Sequence, residues 1–237
     1  MFKNWWEDFK RIPYLDAQWV AVWITIYVSF LLLDIFLPGW PPTNLIKYIG
    51  IFLCIVYAYT KHNNDIMLTI ALLFTFFADT ILVWTDWLIA GVYIFCFAQF
   101  MHFLRLSRAK IEYIFSWAAI VTITFGIAIV FGLEPIYAIG SIYAIILCSN
   151  LFLSYTRYRE YRNDFCARCA FYGFIAFICC DCCVALRFFA LDGFLPIRIL
   201  PTVNFLVWTF YYPSQVLIAN SSTMPEVHKT AKNLRKQ

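Results

Sequence analysis

Charged side chains are scarce in this sequence. Asp, Glu, Lys and Arg together make up 14% of the 237 residues, whereas hydrophobic residues make up 63% and the mean hydropathy is +0.73. A soluble domain usually carries about 25% charged residues. The chain therefore has too little polar surface to cover a water-soluble globule, and we predict an all-α, polytopic membrane protein. Eight spans of about 20 residues each leave no room for a separate soluble domain.

The sequence also lacks the motifs of several common protein classes. It contains no glycine-rich nucleotide loop, no G-x-S-x-G and no H-E-x-x-H, and no predicted span has the central lysine of a retinal-binding helix. Four of the nine cysteines lie in the run 179–183, where neighbouring helical positions point about 100° apart and cannot converge on one ion. Cys166 and Cys169 have CxxC spacing but no second pair. We therefore expect no metal site, no cofactor and no nucleic-acid partner.

Long apolar runs separated by loop residues predict a bundle of eight transmembrane helices. The runs are interrupted at 38–42, 61–65, 132–135 and 192–196, where proline, glycine and polar residues gather. The predicted helices cover about 17–37, 44–60, 66–85, 88–106, 112–132, 135–156, 168–189 and 199–220.

The positive charges agree with this count. With eight spans, the N-terminus, the even-numbered loops and the C-terminus share one side, which holds all of the 18 Lys and Arg residues except Lys47, Arg187 and Arg198. The positive-inside rule then places both termini in the cytoplasm. We divide the chain into an interfacial N-terminal segment without a signal-peptide core, an eight-helix transmembrane domain and a basic cytoplasmic tail, with the bounds 1–16, 17–220 and 221–237.

Two carboxylates lie within predicted spans. Asp79 is near the middle of the third helix, and Asp181 is at the centre of the seventh. An ionised Asp at the bilayer midplane costs about 2.5–3.5 kcal/mol on insertion scales, whereas a membrane hydrogen bond returns about 0.6 kcal/mol on average. Burial favours the neutral acid, and two nearby carboxyls can share one proton. We therefore predict a general acid beside a carboxylate, a division of labour suited to cleaving acetal-like bonds.

Further polar side chains on the second, fourth and eighth helices are candidates for substrate binding. One face of the eighth helix carries side chains at i, i+4, i+7 and i+11, namely Asn204, Trp208, Tyr211 and Gln215, and Tyr212 flanks it. His102 is either a proton carrier or a core side chain whose hydrogen bonds are satisfied within the fold. Lys47 either snorkels to the interface, contacts an anion such as a lipid phosphate, or pairs with Asp34 or Asp79, and Arg187 has the same first two alternatives. The candidates are Lys47, Gln99, His102, Asn204, Tyr211, Tyr212 and Gln215.

Five segments occur in a characteristic order: 45–57 with its lysine, ALLFTFFADTILV, AGVYIFCFAQFMHFLRL, GFIAFICCDCCVALRFF and TFYYPSQVLIANS. In that order they resemble the YhhN-like lysoplasmalogenase family. The resemblance implies an eight-span membrane protein that hydrolyses the vinyl ether bond of lysoplasmalogens to a fatty aldehyde and a glycerophospho-headgroup. It implies a lysophospholipid substrate met within the bilayer, in the cell membrane of a bacterium or the endoplasmic reticulum of a eukaryote.

The sequence departs from that family's pattern at five positions. Ala78 stands where glycine usually precedes the first Asp, Cys180 stands where serine usually precedes the second, and Tyr48 replaces a proline after the lysine. Gln99 stands where the family usually has histidine, and His102 stands where the tyrosine follows it. These departures concern the identity of the substrate more than the fold.

Two other functions fit the same residues. A non-enzymatic transporter or channel uses intramembrane Asp residues to relay protons or bind a cation, and a through-going polar path favours it over a hydrolase with a blind pocket open to lipid. A structural or regulatory protein uses them only to hold helices together. The hydrolase hypothesis predicts that Asp79 and Asp181 lie across one cavity, with Tyr211, Tyr212 and Gln215 positioning substrate or water.

Overall fold

The computed structural model describes residues 17–37, 40–62, 65–85, 87–108 and 110–221. Within these ranges the chain forms eight α-helices, a short 3₁₀ helix at Ile197–Ile199 and no strand, which confirms the all-helical prediction. The predicted segment 1–16 and the tail beyond 221 lie outside the described residues. The helices are α1 Ala17–Phe36, α2 Pro41–Lys61, α3 Ile66–Trp84, α4 Leu88–Ser107, α5 Ile111–Val130, α6 Pro135–Glu160, α7 Phe165–Leu191 and α8 Leu200–Ala219.

Seven of the described helices, α1 to α7, are long and apolar enough to cross a membrane, judged by length and composition. Helix α8 also has 20 residues and carries no charge, but Asn204, Gln215 and two tyrosines make it more polar. The structure is therefore that of a multi-pass membrane protein. The eighth span and the cytoplasmic position of both termini stay predictions.

Local sequence signals set the helix ends. The side chain of Asp65 accepts a hydrogen bond from a backbone amide in the first turn of α3 (3.2 Å), and Asp164 does the same for α7 (3.2 Å). Proline stands in the first turn of α2, α6 and α8, where its missing amide proton costs nothing. The observed helix limits differ from the predicted ones by at most four residues. The largest difference is at the end of α6, which continues to Glu160, and α7 begins earlier than predicted, at Phe165.

Six of the helices form a ring. In order around the ring, the helices are α2, α3, α4, α6, α7 and α8, each packed against the next, and α8 packs against α2. Helix α1 lies outside the ring against α2 and α8, and α5 lies outside it against α6. Every buried, non-aromatic polar side chain within a described helix belongs to a ring helix. The ring therefore collects the polar groups that the bilayer would otherwise have to accommodate.

One end of the ring is held together by a cluster around Arg105. The Arg105 guanidinium donates to the carbonyl oxygen (3.1 Å) and the hydroxyl (3.0 Å) of Ser221, and it lies 3.8 Å from a carboxylate oxygen of Asp65. These contacts bring the start of α3 and the ends of α4 and α8 to one place, which we call the Arg105 end. Helix α3 therefore runs antiparallel to α4 and α8. The distribution of positive charge predicts that this end is cytoplasmic.

Candidate functional site

Asp79 is buried in α3 and contacts tyrosines from two other helices. The Tyr211 hydroxyl of α8 donates a hydrogen bond to Asp79 Oδ2. The Tyr48 hydroxyl of α2 donates to the main-chain oxygen of Asp79 (2.7 Å). The Asp79 carboxyl is thus held by a tyrosine hydroxyl from α8, which runs antiparallel to α3.

Asp181 is half-buried in α7 and has a matching partner. The Tyr143 hydroxyl of α6 donates a hydrogen bond to Asp181 Oδ2 (2.6 Å). Hydrogen bonds to a carboxylate are shorter and stronger than those between neutral groups. Each of the two predicted catalytic carboxyls is therefore positioned by a tyrosine from another helix.

The two Asp–Tyr pairs adjoin each other inside the ring. Asp79 and Asp181 are close enough for their charges to interact, and Cys180 lies near both carboxyls. The Phe177 ring, one turn before Asp181, lies 5.7 Å from the Tyr211 ring. The fold thus brings together two carboxyls from α3 and α7, which are not neighbours in the ring.

Two residues of α6 are absent from the sequence-based site. Tyr143 bonds Asp181, and Asn150 donates from Nδ2 to the main-chain and side-chain oxygens of Gln99 (2.9 Å each). They are spaced i, i+7, so they share one helical face. A search of α6 for a polar stripe of the kind recognised in α8 would have identified both.

Lys47 is buried in α2, and its ammonium pairs with Asp34 of α1 (Nζ–Oδ2 2.7 Å). The same ammonium lies 4.9 Å from the centre of the Trp208 ring, which contacts the Tyr211 ring at 5.5 Å. Of the alternatives for Lys47, the structure therefore has the pairing with Asp34. It also places this ion pair next to the aromatic side chains that lead to Asp79.

Gln99 and His102 of α4 and Gln215 of α8 are fully buried. The His102 ring lies 5.5 Å from the Phe174 ring of α7. Gln215 follows Tyr211 by one turn, in the direction of the Arg105 end. These three predicted substrate contacts therefore lie nearer to the Arg105 end than the carboxyl pair does.

Two further predicted substrate contacts lie away from the carboxyls. Tyr212 stacks on Tyr27 of α1, with ring centres 5.9 Å apart and planes 9° apart. Adjacent positions on a helix point about 100° apart, so Tyr212 faces α1 while Tyr211 faces Asp79. Asn204 is exposed near the start of α8.

Two grooves on the described surface lie away from the carboxyls. One of about 540 Å³ runs between α4, α5 and α6 beside Trp117, and one of about 690 Å³ lies at the starts of α4 and α6 beside Tyr93. Both are almost entirely apolar, and neither is lined by Asp79 or Asp181. The pocket expected between the two carboxyls is therefore neither of these grooves.

Cysteines and other metal-ligating side chains are distributed without convergence over the part of the chain that the structure describes. No three or more His, Cys, Asp or Glu side chains in that part are grouped to hold a metal ion. All nine cysteines are free thiols.

A comparison with family models extends the resemblance seen in the motifs. The model of the YhhN family matches residues 43–222, which include nearly all of α2 and the whole of α3 to α8. The chain belongs to the YhhN family. The comparisons with curated proteins and with solved structures give no match. The family region thus contains the ring apart from the first two residues of α2, while α1 precedes it.

Proposed function

We propose that this YhhN protein is a membrane-embedded lipid hydrolase that cleaves the vinyl ether bond of lysoplasmalogens. The observation that carries the proposal is the pair of Asp–Tyr contacts, Asp79 with Tyr211 and Asp181 with Tyr143, with the two carboxyls close enough for their charges to interact. Membership of the family and the resemblance of the motifs to lysoplasmalogenases support the same substrate class.

The two carboxyls suit the chemistry of this bond. A neutral carboxyl protonates the alkene carbon distant from the ether oxygen, which forms a C–H bond and leaves an oxocarbenium ion. The second, ionised carboxylate stabilises that cation and accepts a proton from the water that adds to it. The resulting hemiacetal transfers its hydroxyl proton to the ether oxygen, loses the glycerophospho alcohol and becomes a fatty aldehyde. The proton that the second carboxyl took from water then passes to the first carboxyl, which restores the starting state. One water molecule is consumed in each turnover.

The hydroxyl groups of two tyrosines support these proton transfers to and from the carboxyls. Tyr211 and Tyr143 each donate to one carboxyl, so each stabilises the carboxylate that forms after proton transfer. Each carboxyl has one such donor, and we assign the acid and the base to the pair rather than to one residue. The half-buried Asp181 is the member that a lipid can approach more directly.

Lys47 is suited to bind the lipid phosphate. Through Trp208 it adjoins Tyr211 on the side that faces away from the Arg105 end. Its ammonium is paired with Asp34, so a phosphate binds there in competition with that carboxylate. Such a contact holds the headgroup on one side of the carboxyl pair and leaves the vinyl ether beside it.

The decisive experiment is the release of aldehyde from a lysoplasmalogen by purified protein in detergent. We expect Asp79→Asn and Asp181→Asn each to lower kcat by about a hundredfold or more, the usual contribution of general acid–base catalysis. Asp192→Asn, at the exposed end of α7, is the matched control and should retain activity. A lysolipid with a saturated alkyl ether should release no aldehyde.

The alternatives have different outcomes. A well-folded wild-type protein that releases no aldehyde would refute the hydrolase. Proton or cation flux in proteoliposomes that disappears in Asp79→Asn would then favour the transporter. Unchanged aldehyde release in both Asn variants, together with lower thermal stability, would show that the carboxyls only join helices.

A further inference from the structure

A second group of polar side chains lies inside the ring, between Asp79 and the Arg105 end. All of its members are at most 1% exposed. Each has a nitrogen or oxygen atom without a hydrogen-bond partner, although an unpartnered buried polar atom costs about 1–3 kcal/mol and is rare in folded proteins. These atoms are Thr75 Oγ1, Gln99 Nε2, His102 Nδ1, Asn150 Oδ1 and Gln215 Oε1.

Helix geometry puts three of these residues at one depth. Gln99 precedes Arg105 by six residues in α4, and Gln215 precedes Ser221 by six residues in α8 and its last turn. Because Arg105 and Ser221 are hydrogen-bonded, both glutamines lie about 9 Å from that contact along helices that run in the same direction. Asn150 joins the same level through its hydrogen bonds to Gln99.

The other two residues occupy the depths on either side. His102 is about one turn from Arg105, and its ring contacts Phe174 of α7. Helices α4 and α7 are not neighbours in the ring, so this contact crosses its interior. Thr75 is one turn from Asp79 and on the same face of α3. Unpartnered polar atoms therefore occur at successive depths, from Arg105, whose Nε is also without a partner, to Asp79.

The chemistry of these atoms suits a small, neutral ligand that both donates and accepts. The amide nitrogen of Gln99 donates, the amide oxygens of Asn150 and Gln215 accept, and the Thr75 hydroxyl does either. None of the five side chains carries a fixed charge, so the group does not match an ion. A buried water needs only about 10–15 Å³ and two to four polar partners, and it satisfies all of these atoms.

We propose that Thr75, Gln99, His102, Asn150 and Gln215 line a file of bound water that leads from the Arg105 end to Asp79. The inference rests on the proposed function and deepens it, because the file supplies the water that vinyl ether hydrolysis consumes. The oxygen of the water nearest Asp79 bonds to the oxocarbenium carbon, its proton passes to the carboxylate, and the file refills from the aqueous side. Water and lipid thus reach the carboxyls by different routes.

The test is radiolytic footprinting of the full-length protein in nanodiscs, in which short-lived hydroxyl radicals modify a buried side chain only where water lies beside it. We expect His102 to be oxidised despite its burial, and to incorporate ¹⁸O after a brief exchange into H₂¹⁸O. The control is Phe30 of α1, which is also buried but has no polar side-chain atom to hold water and packs against Tyr27 and Trp208, outside the ring. Phenylalanine is at least as readily modified by hydroxyl radicals as histidine, so its lack of modification would be informative.

Two variants separate a water file from a hydrogen-bonded structural layer. The double variant Gln99→Leu with Asn150→Leu removes both members of a bonded pair, and we expect His102 oxidation to fall several-fold while Phe30 is unchanged. Thr75→Val keeps the shape of the side chain and removes one hydroxyl, so it remains useful if the double variant fails to fold. We expect Thr75→Val to lower kcat for aldehyde release with little change in KM, because this residue holds water and does not touch the lipid.

The oxidation of His102 tests the water file, and the release of aldehyde tests the hydrolase, so either proposal can fail without the other. Absence of His102 oxidation in active wild-type protein would overturn the water file and leave the hydrolase intact. Oxidation of His102 in a protein that releases no aldehyde would keep the file and refute the hydrolase. Equal His102 oxidation in the wild type and the variants would also overturn the file, because the five side chains would then not hold the water.

Discussion

Tyr211 and Tyr212 are adjacent in the sequence, yet they contact different parts of the molecule. Tyr211 donates to Asp79, whereas Tyr212 stacks on Tyr27 of α1. We predict that Tyr211→Phe lowers kcat for aldehyde release at least about tenfold, because a hydrogen bond to a charged group contributes about 1.5–3 kcal/mol. Tyr212→Phe, the matched control, should remain near the wild-type rate. Equal losses in the two variants would argue against the assignment of the site to the Tyr211 face.

The ion pair between Lys47 and Asp34 is largely buried, with side chains 5% and 17% exposed. We predict that Lys47→Met alone lowers the free energy of unfolding by up to about 3–5 kcal/mol, because it leaves Asp34 without its cation. The double variant with Asp34→Asn should be more stable than Lys47→Met. Unfolding in detergent measured by Tm checks this, and additive effects of the two single substitutions would contradict it.

His62 follows α2, outside the membrane-spanning segments. Burial lowers the pKa of its imidazole, the nearby Asp65 raises it, and Arg105 lowers it, with a net decrease from the ordinary value. The unfolded chain therefore takes up this proton first as the pH falls through about 6.5, and the folded state loses stability by at most about 1.4 kcal/mol per pH unit. We predict that Tm falls between pH 7.5 and 5.5 by less in His62→Gln than in the wild type. An equal fall in both proteins would show that His62 does not contribute.

At the scale of elements, α7 and α8 form the most extensive helix contact in the described fold. Gly173 makes this possible, because a Cβ there would lie 2.9 Å from a side-chain carbon of Ile218 and 3.2 Å from its backbone nitrogen. These two helices carry Asp181 and Tyr211, so their separation sets the distance between the two Asp–Tyr pairs. A small residue at 173 therefore matters to the site as well as to packing.

We predict that Gly173→Ala destabilises the protein, because overpacking costs about 1–3 kcal/mol, against about 1 kcal/mol gained from the higher helix propensity of alanine. Aldehyde release should fall with it as α7 moves away from α8. Gly126→Ala in α5 is the control, since nothing lies within 4 Å of the added methyl group. Tm values measured in detergent compare the two, and an equally stable Gly173→Ala protein would mean that the helix contact adjusts freely.

At the scale of the whole molecule, the ring explains how a sequence this apolar accommodates buried polar groups. Side chains of its helices meet inside, while α1 and α5 cover parts of the outside. The outward-facing surfaces of the helices can then remain largely apolar, which suits the lipid around them. The Arg105 cluster holds one end of the ring, and the prediction from charge is that this end faces the cytoplasm.

We predict that both termini face the cytoplasm, because eight spans bring the chain back to the side where it began. Fluorescent protein and alkaline phosphatase fused in turn to each terminus in a bacterial host check this: fluorescence and no phosphatase activity are expected at both ends. A small epitope inserted in the turn at 192–196 should be reached from outside and serves as the opposite control. Termini on different sides would mean that α8 does not span.

Much of the fold and part of the site were predictable from the sequence. Helix positions follow from long apolar runs broken by proline, glycine and charge, so the predicted limits lie within four residues of those observed. Asp79 and Asp181 were recognisable because a carboxylate in a span is costly in any fold. Tyr143 and Asn150 were missed because a tyrosine and an asparagine within an apolar run cost less and attract no attention individually.

The sequence by itself determined that this chain is a helical membrane protein of the YhhN family with two carboxylates in its spans, because hydropathy and motif order are properties of the linear chain. Only the tertiary structure decided which side chains meet. The contacts of Asp79 with Tyr211, Asp181 with Tyr143 and Lys47 with Asp34 join different helices, and the order of helices around the ring is set by the packing of helix faces against one another. Local periodicity shows which residues share a helical face but not which helix that face meets, so partners, depths and the direction of Tyr212 emerge only from the assembled ring.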